Sequence, residues 1–206
     1  MLRLEAYAAL LDTWTRAINL VGQASLGDLW RRHMLDSAQL LPLLPAVPAA
    51  RRRVIVDLGS GAGFPGLVLA LLGAGEVHLV EADRRKAVFL REAARETGSD
   101  ARVHDQRIED MSPIAADAVT ARACAPLGKL LGYAQKFPGA APGTRPCCLF
   151  LKGKRADEEL TEARKQWTMR VDTFPSRSDP SGTILRIGLL DREISISRGQ
   201  HRLDRQ

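Results

Sequence analysis

The residues best suited to chemistry form a glycine-rich segment that follows an aspartate. Residues 54–56 are apolar and β-branched, Asp57 comes next, and the glycines that follow are Gly59, Gly61, Gly63 and Gly66. Glycines allow positive φ angles and close approach of the backbone to a ligand, and the free N–H groups at a helix start attract polar or anionic groups. The pattern predicts a strand, a ligand-binding loop and a helix start, with the Asp57 carboxylate facing a cationic ligand group.

Two classes of cofactor use a loop of this kind. Counted from Gly61, the loop satisfies the dinucleotide pattern G-x-G-x-x-G, but that pattern requires its first glycine directly after the strand. Counted from Gly59, the loop reads Asp-x-Gly-x-Gly-x-Gly. This second reading resembles motif I of S-adenosylmethionine (SAM) methyltransferases, whose cofactor carries an ammonium group. An NAD site and a glycine-rich turn without a ligand stay open as alternatives.

A second acid, Glu81, ends the next apolar run, residues 77–80. In nucleotide-binding α/β folds a carboxylate about twenty residues beyond the glycines bonds the ribose hydroxyls, so we expect Glu81 to bind ribose. A turn near residues 106–110 would lie beside the adenine in a SAM-type fold, with Ile108 on the ring and Glu109 at its edge. The alternative for this turn is a helix start with acids in its first turn.

Two cations follow later predicted strands. Arg122 comes after residues 117–121, and Lys152 comes after residues 147–151. The carboxyl ends of parallel strands face the crevice where α/β folds bind ligands, so both residues are site candidates, and the cations Lys152, Lys154 and Arg155 could meet phosphate. A salt bridge for Arg122 and a solvated turn for Lys152 are the simpler alternatives.

A third candidate group lies near the N-terminus. Arg32, His33 and Asp36 fall within one turn of a predicted helix over residues 27–41, where such neighbours can pair. The simpler interpretation is a local salt-bridge and hydrogen-bond cluster that orients the helix. The alternative is a place at the rim of an active site.

Hydrophobic periodicity predicts the elements that position these residues. An amphipathic helix over residues 3–19 and the helix over 27–41 form an N-terminal helical cap, residues 1–50. Residues 51–190 alternate strands and helices, which predicts an α/β Rossmann-like fold with a mostly parallel sheet and an antiparallel edge. The remaining predicted helices cover residues 67–72, 86–94, 127–137 and 160–167, and the edge strands cover 169–174 and 183–190.

Composition limits the class of protein. The 206 residues are 45% hydrophobic and 26% charged, which suits one compact domain, and the formal charge of +6 favours an acidic partner. Cys124, Cys147 and Cys148 suggest neither a disulfide framework nor a metal site and fit a reducing cytoplasm. No uninterrupted apolar run approaches membrane-spanning length, so we expect no membrane association. Residues 191–206 are polar and arginine-rich, and we expect a poorly ordered tail.

Several segments in the right order resemble those of the bacterial 16S rRNA guanine-N7 methyltransferases, the glucose-inhibited division protein B family. They lie at residues 14–20, 32–37, 57–66, 86–91, 120–123 and 151–153. The resemblance implies the SAM methyltransferase fold, SAM as methyl donor and a guanine of small-subunit rRNA as acceptor. It also implies that Gly59 and Phe64 contact the cofactor and that Arg122 completes the pocket. The expected cofactor-binding set is Asp57, Gly59, Gly61, Gly63, Phe64, Glu81, Ile108, Glu109 and Arg122.

The chain departs from the family at Glu81, where Asp is common, at Cys124, where an aromatic is usual, and in its last residues. Guanine N7 has no proton to lose, so its methylation needs positioning more than a general base. We therefore expect no certain catalytic residue and assign positioning roles to Arg122, Lys152, His33 and Asp36. We expect a cytoplasmic monomer. A non-catalytic RNA-binding module is the alternative, weakened because aromatics are 5% of residues.

Overall fold

A computed structural model describes residues 2–192 of the chain. Its strands are β1 Val54–Leu58, β2 Glu76–Glu81, β3 Arg102–Asp105, β4 Ala118–Arg122, β5 Cys147–Lys152, β6 Trp167–Pro175 and β7 Thr183–Arg192. Its α-helices are α1 Leu2–Ile18, α2 Gln23–Leu26, α3 Asp36–Ala38, α4 Gly66–Leu71, α5 Arg84–Glu96, α6 Leu127–Ala134 and α7 Ala156–Ala163. A π-helical segment, Trp30–Leu35, leads into α3, and Leu41–Leu43 and Ile108–Asp110 form 3₁₀ turns.

The seven strands form one sheet in the order β3-β2-β1-β4-β5-β7-β6. The first five are parallel, and β7 runs antiparallel to both β5 and β6. The strand order reverses between β1 and β4, and ligands of open α/β sheets bind at the carboxyl ends of strands at such a point. The predicted Rossmann-like sheet with an antiparallel edge is confirmed.

The sheet is covered on both faces, which fixes the strand ends rigidly. One hydrophobic cluster packs α1, α4 and α5 against one face, and a second packs α6 and α7 against the other. Central strands such as β1 and β4 are buried on both faces, as expected of parallel strands that read as apolar runs. Side chains at the carboxyl ends of these strands therefore have well-defined positions.

The N-terminal helices join this core. Tyr7 of α1 is fully buried, and its ring lies 6.4 Å from that of Phe89 on α5. Arg3 bonds the carbonyls of Thr97 and Gly98 at 2.7 Å, which ties the start of α1 to the end of α5. Tyr7 Oη also donates to Ala62 O, so the cap is held over the glycine-rich loop.

The helix predicted over residues 27–41 is wrong in its bounds and type. Gly27 ends α2, and the chain then widens into the π-helical segment before α3 ends at Ala38. Periodicity locates an apolar face but does not distinguish a continuous α-helix from short turns joined in register. Such widened turns are frequent at functional sites.

Two boundaries nearer the C-terminus also differ from the prediction. The helix predicted over residues 160–167 is α7, which ends at Ala163, and Trp167 begins β6. Trp167 is buried in the second cluster, so its apolar character reflects packing of a strand and not the helix face. Asp191 and Arg192 extend β7 and do not begin the tail. The rest of the predicted tail lies outside the described residues.

Between residues 2 and 192, no helix is both long enough and apolar enough to cross a membrane.

Candidate cofactor and acceptor site

The glycine-rich loop between β1 and α4 needs its glycines for different reasons. Gly59, Gly61 and Gly63 have φ angles of 63°, 57° and 98°, which side chains disfavour. A Cβ at Gly59 would lie 2.5 Å from Cys124 Sγ, whereas a Cβ at Gly61 would find no atom closer than 3.8 Å. The loop is thus packed against the protein at Gly59 and open at Gly61, where a ligand can approach the backbone.

Asp57 lies beneath this loop. Its Oδ1 accepts a hydrogen bond from Thr120 Oγ1 at 2.6 Å, and its buried Oδ2 has no hydrogen-bond partner among the residues described. Burial raises the pKa of Asp57 to about 6, against the opposing effect of the bond from Thr120. Because Gly66 covers Oδ2, the carboxylate as placed here would act on a bound cation through its charge and not by direct contact.

Glu81 stands at the end of β2 beside the loop. Its Oε2 accepts from the Gly61 amide and its Oε1 accepts from the Asp83 amide, each at 2.7 Å. Every carboxylate oxygen can accept a further bond, so both remain able to meet ribose hydroxyls. The open backbone at Gly61 and the half-buried acid beside it fit the ribose side of SAM.

The predicted adenine turn is the 3₁₀ turn Ile108–Asp110, which β2 holds through a bond from Gln106 N to Glu81 O. Ile108 is buried, but the Glu109 carboxylate accepts a hydrogen bond from Tyr133 Oη at 2.5 Å. That bond lowers the pKa of Glu109. The turn is therefore adjacent to Glu81, and its acid is directed toward Tyr133 of α6.

Arg122 joins β4 to the cap. Its Nη2 contacts His33 Nδ1 at 2.6 Å, and its Nη1 donates to Asp36 Oδ2 at 3.3 Å and to Arg32 O at 3.0 Å. The Arg32 carbonyl belongs to the π-helical segment. The structure thus brings the candidates Arg122, His33 and Asp36 into one cluster. The cluster joins β4 to the cap, whereas the simpler interpretation confined it to one helix.

Phe64 forms the floor of this cluster. The His33 ring stacks on it at 4.9 Å, and the Arg122 guanidinium lies 4.9 Å from its centre. The Phe64 ring is only 3% exposed. The cap covers the Phe64 ring. The cofactor contact that the resemblance implies for Phe64 would therefore be made by its backbone.

His33 is neutral near physiological pH. Burial, and secondarily the charge of Arg122, lowers the pKa of His33 to about 4. Because Arg122 donates to Nδ1, we assign the ring proton to Nε2, which is buried and has no partner within residues 2–192. An imidazole in this state does not accept a proton at Nε2, so the cluster is suited to positioning.

A cavity of about 660 Å³ opens beside the cluster. It lies between the cap, the ends of β4 and β5, and the turn that joins β6 to β7, and its wall includes Arg32, Arg122 and Cys124. Pockets of this size accept small ligands, and a nucleotide base fits within it. Because Cys124 Sγ also packs against Gly59, the cavity adjoins the glycine-rich loop.

Lys152 lines the cavity but is not the solvated cation that the sequence suggested. Its Nζ donates to Ala125 O and to Glu159 Oε2, both at 2.8 Å, and its side chain is 7% exposed. A buried ammonium requires such partners, which leaves it unsuited to binding phosphate. Lys152 is therefore engaged within the protein and is not a free cation for phosphate, and Glu159 is a cavity residue that sequence reasoning missed.

Asp36 also ties the cap to the turn between β6 and β7. Its Oδ1 accepts from Gln39 Nε2 at 2.8 Å, from Ser176 Oγ at 3.3 Å and from Ser178 Oγ. Ser178 is 142 residues from Asp36, and no sequence pattern signals this contact. Both oxygens of Asp36 are thus engaged in holding the cavity walls together.

Throughout the described part of the chain, no three His, Cys, Asp or Glu side chains are placed to hold a metal ion.

Comparison with known proteins agrees with this geometry. A family model described as GidB, rRNA small subunit methyltransferase G, matches residues 1–180. The ribosomal RNA small subunit methyltransferase G of Rhodospirillum rubrum is 58% identical over 191 residues, covering 92% of this chain and 90% of that protein. The same-named protein of Rhodospirillum centenum is 58% identical over 187 residues, covering 90% and 82%.

A solved structure of a SAM-dependent methyltransferase from Leishmania major superposes with a TM-score of 0.59 at 15% identity, covering 88% of this chain and 82% of that one. That likeness concerns the fold alone. The extent of the family match and the identity to its members decide the assignment: this chain belongs to the GidB family, rRNA small subunit methyltransferase G.

Proposed function

We propose that the protein transfers the methyl group of SAM to N7 of a guanine in the 16S rRNA of the small ribosomal subunit. The family is one of SAM-dependent rRNA methyltransferases, which removes an NAD-dependent oxidoreductase from consideration. The observation that carries the proposal is the contact of Cys124 with Gly59. Cys124 lies between the glycine-rich loop and the cavity of about 660 Å³, which we call the acceptor cavity.

The loop side suits the cofactor. When bound, SAM supplies a methyl group on a positively charged sulfur. The backbone at Gly59, Gly61 and Gly63 would bind it, and Glu81 would orient its ribose. The turn at Ile108 and Glu109 would flank the adenine, and the buried charge of Asp57 favours a cation above the loop.

The acceptor side suits a base that needs no deprotonation. His33 is neutral, with its pKa lowered to about 4, and the Glu109 carboxylate is bonded to Tyr133. The covered carboxylate of Asp57 cannot reach an acceptor directly. Guanine N7 has a free lone pair, whereas N1, the exocyclic amine or a ribose hydroxyl would have a proton to lose. None of the three side chains His33, Glu109 and Asp57 is placed to remove a proton from the acceptor, which favours N7.

The charge of the surface supports an RNA substrate. Arg32 is exposed and lines the cavity, and the whole chain carries a formal charge of +6. Phosphate contacts from such cations position nucleic acid. N7 lies in the deep, narrow major groove of A-form RNA, so the target guanine must be in an accessible loop or in a partly assembled particle. We infer that the protein acts as a monomer in the cytoplasm, where small subunits assemble.

The test is methyl transfer from labelled SAM to small subunits isolated from cells that lack the enzyme. Borohydride reduction followed by aniline cleaves RNA at N7-methylguanine, so the label should map to one cleavable position. Arg122→Met should lower the rate by at least about 10-fold through lost positioning. The control Arg52→Met removes an exposed arginine that pairs with Asp100, and it should leave the rate unchanged. Label in RNA that resists cleavage would contradict the N7 assignment.

A further inference from the structure

The segment that separates the cofactor loop from the acceptor cavity, residues 122–126, is held at its C-terminal end by side chains of β5 and α7. It carries Arg122 and Cys124, and between them Ala123 has a φ of 49°. Residues other than glycine seldom adopt this conformation, and it persists where the surroundings impose it. The contacts that fix this segment therefore bear directly on the site.

The contacts at the C-terminal end of the segment converge on one carboxylate. Lys152 Nζ donates to Ala125 O and to Glu159 Oε2, each at 2.8 Å. The same Oε2 accepts from the Leu127 amide at 2.7 Å, at the first residue of α6. Glu159, on α7, thus holds the end of the segment directly through Leu127 and indirectly through Lys152.

The Lys152–Glu159 ion pair is largely buried, so its loss should have a large effect. The Lys152 side chain is 7% exposed and that of Glu159 is 26% exposed, unlike the neighbouring pair of Arg155 and Glu158, which is about 70% exposed on both sides. Exposed pairs contribute little, whereas removing one member of a buried pair leaves the other without compensation. Loss of Glu159 should therefore release Lys152 from Ala125 as well.

We propose that Glu159 is a positioning residue for methyl transfer, acting through Lys152 and the Leu127 amide to fix residues 122–126 between the glycine-rich loop and the acceptor cavity. This inference rests on the proposed function. Glu159 lines the acceptor cavity, but its hydrogen bonds go to the Leu127 amide and Lys152 and not to the glycine-rich loop or Arg122. Its effect is on the alignment of donor and acceptor and not on cofactor affinity.

The experiment compares Glu159→Ala with Glu158→Ala, which makes the same change one residue earlier on the same helix and at an exposed site. Hydrogen–deuterium exchange of the peptide spanning residues 122–130 should be at least about 10-fold faster at the Leu127 amide in Glu159→Ala and unchanged in Glu158→Ala, because only the former loses the acceptor. Exchange in β4 and β5 should stay slow in both, which establishes that the fold is intact. Equal exchange at Leu127 in wild type and Glu159→Ala would overturn the proposal.

Steady-state kinetics of Glu159→Ala distinguish a positioning role from a role in stabilising the fold. In Glu159→Ala, kcat should fall at least about 10-fold while the Kd for SAM and the KM for RNA change less than about 3-fold, because misplacement affects the aligned state most. Lys152→Met should give a similar loss, and the double variant should lose no more than either single one. Additive losses, or a loss confined to KM, would overturn the proposal. If wild type methylates no 16S rRNA, the proposed function fails, while the exchange measurement still decides whether Glu159 fixes the segment.

Discussion

Replacing Asp57 with Asn should reveal a pH-dependent cost of burying this carboxyl. Asp57 is fully buried with one unpartnered oxygen, and burial raises its pKa from 3.8 to about 6. A shift of that size corresponds to about 3 kcal/mol of stability, because each pKa unit is worth roughly 1.4 kcal/mol.

The sign follows from proton binding. Between pH 3.8 and about 6 the folded protein binds more protons at Asp57 than the unfolded chain does, so this group's contribution is present below 3.8 and is lost as pH rises through about 6. Asn does not titrate. We subtract the free energy of unfolding of wild type from that of Asp57→Asn. This difference should rise by about 2 kcal/mol between roughly pH 4.5 and pH 7.5, which is the part of the full effect of about 3 kcal/mol that falls in this pH window.

Difference measurements are needed because His33 acts in the opposite direction. Its pKa is lowered from 6.5 to about 4, so its contribution is present above 6.5 and is lost as pH falls toward about 4. His78 and His104 act in the same direction as His33, because burial lowers both of their pKa values, so the wild-type curve alone does not isolate the effect of Asp57.

The assay is urea unfolding at four pH values for wild type, Asp57→Asn and the control Asp100→Asn. Asp100 is exposed, and its hydrogen bond from Arg52 lowers its pKa from 3.8, so its contribution is lost only at more acidic pH and its difference curve should be nearly flat above about pH 4.5. A difference for Asp57→Asn that is constant with pH, or that falls as pH rises, would refute the assignment of Asp57 as a buried, penalised carboxyl.

Three further outcomes are expected. Glu81→Ala should weaken SAM binding by about 1.5–3 kcal/mol per lost charge-assisted bond, measured by calorimetry against Glu76→Ala at the far end of β2; equal affinities would remove the ribose role. RNA binding should fall steeply with ionic strength while SAM binding barely changes, because counterion release belongs to the polyanion, and equal salt slopes would argue against an RNA substrate. The single-turnover rate with saturating SAM and RNA should be flat from about pH 6.5 to 8.5 in wild type and in His33→Asn, since His33 has its pKa lowered to about 4. An ascending limb that vanishes in His33→Asn would show that the acceptor or the role of His33 is wrong.

Local sequence determined the parts of the site that lie close together in the chain. Asp57, the glycines and Glu81 are fixed by two adjacent parallel strands and one tight loop, so their residue types and spacing dictate their arrangement. The same applies to the sheet, because buried parallel strands read as apolar runs between amphipathic helices.

Tertiary structure decided the contacts between distant residues. Arg122 meets His33 across 89 residues and Asp36 meets Ser178 across 142, and these pairings depend on how the cap packs and where it widens into a π-helical turn. Hydrophobic periodicity reports which face of an element is buried but not which polar groups meet there. Lys152 shows the consequence: the sequence presents a cation at a strand end, whereas enclosure beside Glu159 makes it half of a buried ion pair, because a charge removed from water must find its partners within the protein.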